Sequence, residues 1–470
     1  MLYSPRRLEA LLGAPLHVVT YQQIADLVGN ADAREAEDLD YKQEYPSGDK
    51  SEKGNDDSAL DIATFANHIG GLIVVGMAEV NDIPSAALGV RLAGLEARIR
   101  KAAASRIHPM PRFEVRPVAN PANPDMGLLL ISVPPSSQAP HAVSIPSKKE
   151  SGLRWPRRHG ADKIWLSESE IAASYRRRVM AAADQADRIL KLENGAVTTA
   201  VLTGARSYPL PLLVVSLVPD LPGDLILDSD RVRAIQEATR QEVVMVGAFT
   251  PTFDDVTVAH RRLIAEAGAG TPYAIRAELH TDGAGTFAVH PTGMSPSSGD
   301  NFKVGVLDAE IVARTASALR YLARHARDRA GANGSALLRV MLISDPRLHP
   351  VVLPAQPTDS WPYENPDFGR YRVNLHTPTK FVGGNRPLGL RISRLAYGES
   401  AAWLNDLADD GQPLARATAQ LAGDLFQTYG VPENQQIRRD GSINADAWGD
   451  HWDTIKTWVQ AAGIPQAVEE

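Results

Sequence analysis

Apolar and polar positions change period several times along the first two hundred residues, and each change marks an element. Leu39-Asp40-Tyr41-Lys42 alternates as a half-buried strand does, placing Asp40 and Lys42 on the face opposite Leu39 and Tyr41. Ile62, Phe65, Ala66 and Ile69 recur at helical spacing, Gly70-Gly71 ends that helix, and Leu72 to Val75 is a short β-branched run. Between strand and helix, Pro46 to Ser58 is rich in Gly, Ser, Asp and Lys and reads as a flexible loop. Further on, the pattern predicts a basic helix over Arg91 to Ile107, a buried strand over Leu128 to Val133, and a basic loop or hairpin over Lys148 to Lys163 that contains Trp155. Ser167-Glu-Ser-Glu170 opens a helix that runs towards Leu192.

Asn194-Gly195 reads as the first boundary. Beyond it the pattern predicts a strand over Leu210 to Val218, a helix over Asp228 to Gln241, and a hairpin around His280 to Gly285. A long Ala/Arg-rich helix over Asp308 to Ala330 and a strand over Ala336 to Ser344 follow. Pro350 to Pro366 reads as a connector, and residues 385–470 as mainly helical, with helices over Ala401 to Leu407, Leu414 to Thr428 and Ala445 to Ala462. The expected organisation is a 1–30 helical segment, a mixed-sheet domain over 31–193, a second α/β domain over 195–350, and a mainly helical region over 367–470. The fold class is α/β with mixed α+β character.

Composition bounds the chemistry. With 44% hydrophobic and 22% charged residues the chain is of ordinary globular type. No apolar run approaches the ~18 residues of a membrane span, and the N-terminus lacks a signal-peptide pattern, so a cytoplasmic location is expected. There is no cysteine, which excludes disulfides, thiol nucleophiles and Cys-ligated zinc. The net charge of −7 argues against a general nucleic-acid coat, but its distribution is uneven. Residues 31–61 carry eleven Asp/Glu against four Lys/Arg, whereas residues 91–180 carry sixteen Lys/Arg against seven Asp/Glu. An acidic patch beside a basic surface suits phosphodiester chemistry; two solvated faces would give the same counts.

The ordered set of motifs resembles the Schlafen family, in its Alba-like nucleic-acid-binding domain. The residues that carry the resemblance are Glu35, Leu39, Asp40, Tyr41 and Lys42; Thr64-Phe65-Ala66-Asn67 with Gly70-Gly71; and Gly76-Met77 with Glu79. It continues through Ser132-Val-Pro-Pro-Ser136, Pro140-His141, Arg157-Arg158-His159-Gly160 and the helix from Ser167 to Arg178, covering about 145 of 470 residues. Asp40 is shorter than the family's usual Glu, and Glu79 longer than its usual Asp.

By this resemblance Glu35, Asp40 and Glu79 form a nuclease site holding Mg²⁺ or Mn²⁺, with Lys42 stabilising the phosphorane or orienting water. Spacing alone favours surface acids at Glu35 and Glu79 and a simple Asp40–Lys42 strand-face pair. Asp61 reads as a first-turn carboxylate of its helix. Arg98, Lys101, Lys148, Lys149, Arg154, Arg157 and Arg158 are the expected phosphate contacts, and Trp155 is a candidate for base stacking. No Walker sequence, Gly-x-Ser-x-Gly elbow or His-Glu-x-x-His pair is present, and His280 with His290 lacks a third ligand. The resemblance implies a metal-dependent endoribonuclease cutting structured RNA, tRNA foremost, in stress or antiphage defence. A homodimer would supply a second wall. The alternative is a non-catalytic DNA- or RNA-binding regulator whose C-terminal region binds an effector or partner.

Overall fold

The computed structural model describes Tyr3 and residues 6–145, 152–204, 212–268, 274–289, 306–343, 372–373, 397–428 and 432–467. Two compact units divide the chain, Met1–Ala182 and Ala183–Glu470.

In the first unit the alternating segment is strand β1 (Leu39–Lys42), paired parallel to β2 (Gly71–Val75). Strands β3 (Met77–Val80) and β4 (Ile83–Ala87) form a separate hairpin, β5 (Val90–Arg91) follows, and β6 (Ile107–His108) joins a small sheet. Strands β7 (Glu114–Asn120) and β8 (Asn123–Val133) complete the main mixed sheet, in which β2 and β8 run antiparallel. Every residue of β2 is buried, as expected of a strand covered on both faces.

The two faces receive different partners. Leu72, Val74, Leu128 and Leu130, with Leu39 and Tyr41, meet Leu8, Leu12, Leu16, Ile24 and Leu27 from the N-terminal segment. That segment carries helices α1 (Arg6–Leu12) and α2 (Tyr21–Ala25) and forms a covering layer of this unit. Ile73, Val75, Leu129 and Ile131 face the other way and pack with Ile62 and Phe65 of α3 (Ser51–Ala66) and Ile99 of α4 (Leu95–Arg106). Fully burying each such side chain contributes about 1.5–3 kcal/mol.

Helix α3 starts earlier than its apolar pattern indicates, which corrects the flexible loop read over Pro46 to Ser58. Arg106 supplies the reason: its Nε sits 2.8 Å from Asp56 and its Nη2 2.6 Å from Glu52, four residues apart on one helical face. Gly54 is required because a Cβ there would lie 2.1 Å from the Pro46 carbonyl oxygen. At the other end Gly70 takes φ +77, and its N–H donates to the Phe65 carbonyl at 3.1 Å, the expected glycine stop.

The basic segment folds as small strands β9 (Ala142–Ser144) and β10 (Leu153–Arg154), then a hairpin of β11 (Pro156–His159) and β12 (Asp162–Trp165). Helix α5 (Glu168–Gly204) is continuous through Asn194-Gly195, so no boundary falls at that dipeptide.

The second unit is built on a seven-stranded antiparallel sheet in the order β14-β15-β16-β17-β13-β19-β21. Its strands are β13 (Leu212–Leu221), β14 (Asp255–Ala259), β15 (Arg262–Ala267), β16 (Ile275–His280), β17 (Gly285–Val289), β19 (Asn333–Ile343) and β21 (Tyr397–Trp403); β18 (Val306–Leu307) pairs separately with β20 (Arg372–Val373). Helices α6 (Ser229–Gln241) and α7 (Asp308–Arg324) precede further helices at Leu404–Ala408, Gln412–Gln427 and Trp452–Ala461. Leu213, Phe287, Leu319, Leu421 and Trp458 lie in one hydrophobic core, so the expected 195–350 and 367–470 regions are one unit. Residues 401–403 extend the sheet where a helix was expected, because β19 offers them a free edge. The proline-rich connector and His290 lie outside the described residues.

Candidate nucleic-acid interface

Alternation in β1 turns Asp40 and Lys42 towards α3, while Leu39 and Tyr41 enter the opposite core, as the sequence pattern predicts. Asp61 and Phe65 lie one turn apart on the same face of α3. The third wall is the β11–β12 hairpin, where Arg158 and Lys163 are direct cross-strand neighbours whose side chains share a face. Arg158 Nη1 donates to Asp40 Oδ1 at 2.9 Å, and Lys163 Nζ bonds Asp61 Oδ1. One hairpin rung thus carries two cations to two acids from different elements.

The second oxygen of each acid also faces a local partner, an ion pair for Asp40 and a hydrogen bond for Asp61. Lys42 Nζ sits 2.5 Å from Asp40 Oδ2, and the Tyr45 hydroxyl donates to Asp61 Oδ2 at 2.9 Å. The Arg158 guanidinium also bonds the Leu39 carbonyl at 3.0 Å, and its Nε the Ala36 and Gly160 carbonyls at 3.1 and 3.0 Å. It lies over the Phe65 ring, 5.2 Å from the centroid. Glu35 closes the group: its Oε1 accepts the Tyr41 N–H at 2.8 Å, and its Oε2 is 3.7 Å from Arg158 Nη2.

These contacts set the charges. Burial raises the Asp40 carboxyl, but Lys42 and Arg158 more than offset it and hold it below the ordinary value. Burial disfavours charge on Lys42, yet Asp61 and Asp40 raise its pKa. Glu35 is pushed up to about 7 by burial and by the neighbouring Asp40 charge.

Asn67 frames the site. Its Nδ2 donates to the His141 and Pro156 carbonyls at 2.9 and 2.8 Å, and its Oδ1 accepts the His141 N–H at 2.6 Å. His141 is buried, with Nδ1 against the Pro109 carbonyl, and burial pushes its pKa down to about 4.

The expected residues distribute unevenly around this centre. Glu35, Asp40 and Lys42 come together. Glu79 is exposed, and its Oε2 accepts the Asp82 N–H at 2.9 Å, spanning the Asn81-Asp82 turn of the β3–β4 hairpin. That turn reaches the site through its backbone, the Glu35 N–H donating to the Asp82 carbonyl at 2.8 Å. Arg158 is not a surface phosphate contact: its side chain is 1% exposed and bonded at all three nitrogens. Arg98 ties down the Tyr45 and Pro46 carbonyls at 2.8 and 3.0 Å. Lys101 is exposed, Arg157 is half-buried 3.5 Å from Glu170, and Arg154 lies over the Trp165 ring at 5.4 Å. Lys148 and Lys149 lie outside the described residues.

Asp61, Tyr45, Lys163 and Trp165 were not foreseen in the site. Asp61 lies deep in α3 and caps nothing, a correction to the first-turn reading, which assumed a helix starting near it. Its four-residue spacing from Phe65 was the available signal. Trp165 is 45% exposed, whereas Trp155, the expected stacking residue, is half-buried.

The residues do not fit a divalent ion as arranged. Mg²⁺ and Mn²⁺ sites offer oxygens turned to a common point; here Asp40 and Asp61 each face two internal donors, and Glu79 is turned to its own hairpin. Among the described residues no group of three His, Asp or Glu side chains is placed to hold a metal.

The first unit thus presents a mixed sheet covered on both faces, with a charged site built by β1, α3 and a basic hairpin. Residues 35–164 match the family model described as Schlafen, AlbA_2, a nucleic-acid-related family. No curated protein matches the chain. Among solved structures, the DIP2311 protein from Corynebacterium diphtheriae matches with 21% identity over 37% of this chain and 29% of that chain, at a TM-score of 0.23. Among the described residues no helix is long and apolar enough to cross a membrane.

Proposed function

We propose that the first unit binds nucleic acid along its phosphate backbone, with RNA, and tRNA foremost, as the ligand class. One observation carries this reading: in the acid–cation cluster the acids lie beneath and the lysines above. Asp40 and Asp61 side chains are 2% and 1% exposed, whereas Lys42 and Lys163 are 26% and 35% exposed. Buried carboxylates orient ammonium groups towards solvent, which suits an anionic ligand. Trp165, with Arg154 over its ring, offers an aromatic surface on the same hairpin, worth about 1–3 kcal/mol per stacked base. Binding of labelled tRNA and duplex DNA by the full chain in EDTA tests the proposal. Lys42→Ala with Lys163→Ala should weaken binding at least about tenfold and lower the salt slope by about two. Absence of binding, or affinity indifferent to both substitutions, would refute it.

A second reading, cleavage of RNA, is favoured by Glu35. A carboxyl near pKa 7 beside Lys42 is suited to proton transfer at neutral pH. Cleavage assays with Mn²⁺, Mg²⁺ and EDTA, using Glu35→Gln as the control, separate binding alone from catalysis. Fragments that vanish in Glu35→Gln would establish the enzyme and reveal whether a metal is required.

A further inference from the structure

We infer that the cation of this acidic site is the protein's own Arg158, standing where the resemblance would put a divalent metal; the inference rests on the reading of this face as the functional one. The guanidinium lies between the two family acids that the fold does bring together, 2.9 Å from Asp40 Oδ1 and 3.7 Å from Glu35 Oε2. It cannot swing out of the way as a surface arginine does. Its Nε is shared by the Ala36 and Gly160 carbonyls, its Nη2 holds the Leu39 carbonyl, and its plane rests on Phe65. Lys42 takes the other oxygen of Asp40. A metal entering between Glu35 and Asp40 would meet two fixed positive groups and would have to displace one of them.

Two features show that the arrangement is built in. Arg158 is 1% exposed, and burial of a guanidinium needs hydrogen-bond partners, which this site supplies at each of its three nitrogens from three backbone carbonyls and a carboxylate. Its register is also determined from a distance: the pairing Arg158↔Lys163 puts both cations on one face of the hairpin, so a shift of one residue would turn both away. The shorter Asp40 fits the same picture, since the long arginine reaches down to it. Arg158 is therefore a positioning residue that holds Glu35, Asp40 and, through Asp40, Lys42.

Titration of the full chain with Mn²⁺ alone, followed by the loss of free-ion electron paramagnetic resonance signal, tests the inference. Wild type should leave Mn²⁺ free, and its melting temperature should not respond to the ion. Arg158→Met should bind Mn²⁺ at least about tenfold more tightly than wild type, and adding Asp40→Asn should abolish the gain. Stoichiometric binding of Mn²⁺ by wild type, lost in Glu35→Gln or Asp40→Asn, overturns the inference, and so does a folded Arg158→Met that leaves the ion free. If Arg158→Met does not fold, the wild-type titration decides alone. Nucleic-acid binding in EDTA is measured separately, so either idea can fail without the other.

Discussion

Replacing Arg158 by Met keeps most of the side chain's length and its contact with Phe65 while removing the charge and every donor. What is lost can be worked through from the site. Asp40, 2% exposed, loses its Nη1 partner, and removing one member of a buried ion pair costs about 3–5 kcal/mol. The carbonyls of Leu39, Ala36 and Gly160 lose a donor each, at about 1–3 kcal/mol where water cannot replace it. These terms share one side chain and do not add, and Lys42 still neutralises Asp40 in part. The expected net is about 4 kcal/mol, roughly a thousandfold in the opening equilibrium. Hydrogen exchange of the full chain reads it locally, in the amides of Leu39 to Lys42, against Arg100→Met as the control. Arg100 pairs with Glu96 and Glu114 at 39% exposure, and its loss should cost less than about 1 kcal/mol. If Arg158→Met cost no more than Arg100→Met, the claim that the guanidinium is an integral part of this site would be refuted.

Glu35 gives a pH signature. Its folded pKa of about 7 lies above the ordinary 4.5, so its contribution to stability is full below 4.5 and is lost as pH rises through 7. Glu35→Gln, uncharged throughout, should match wild type near pH 4.5 and exceed it by about 1–3 kcal/mol near pH 8 in urea unfolding. Gly70→Ala places a Cβ 2.6 Å from Pro135 Cδ at φ +77, and should lower stability by about 2 kcal/mol or more, seen as a lower melting temperature. Arg106→Ala removes the cation from buried Asp56 and should cost about 3 kcal/mol, with hydrogen exchange rising first over residues 51–58.

The sequence made the strand of Asp40, the glycine stop of α3 and the basic hairpin legible, because each is written in a window of a few residues. Asp61 was not, since its place in the site depends on where α3 begins, and Arg106, fifty residues from Asp56, settles that. Arg158 was recognised as important but turned the wrong way. A basic run looks like a surface until the register of a hairpin decides which of Arg157 and Arg158 faces inward. Tyr397 to Trp403 illustrates the same limit: its alanines suit a helix, and pairing with β19 overrides that preference.

Asn67 holds the end of α3 to His141 and to the start of β11 with an amide, a group that neither gains nor loses charge across the physiological range. The acids and bases around Asp40 are thereby mounted on an uncharged bracket. Proton uptake at Glu35 changes the charge of this face and leaves the charge of the bracket as it was. The scaffold and the charges of this face are in that sense separate parts, the amide fixing where the walls meet and the ion pairs fixing what they carry.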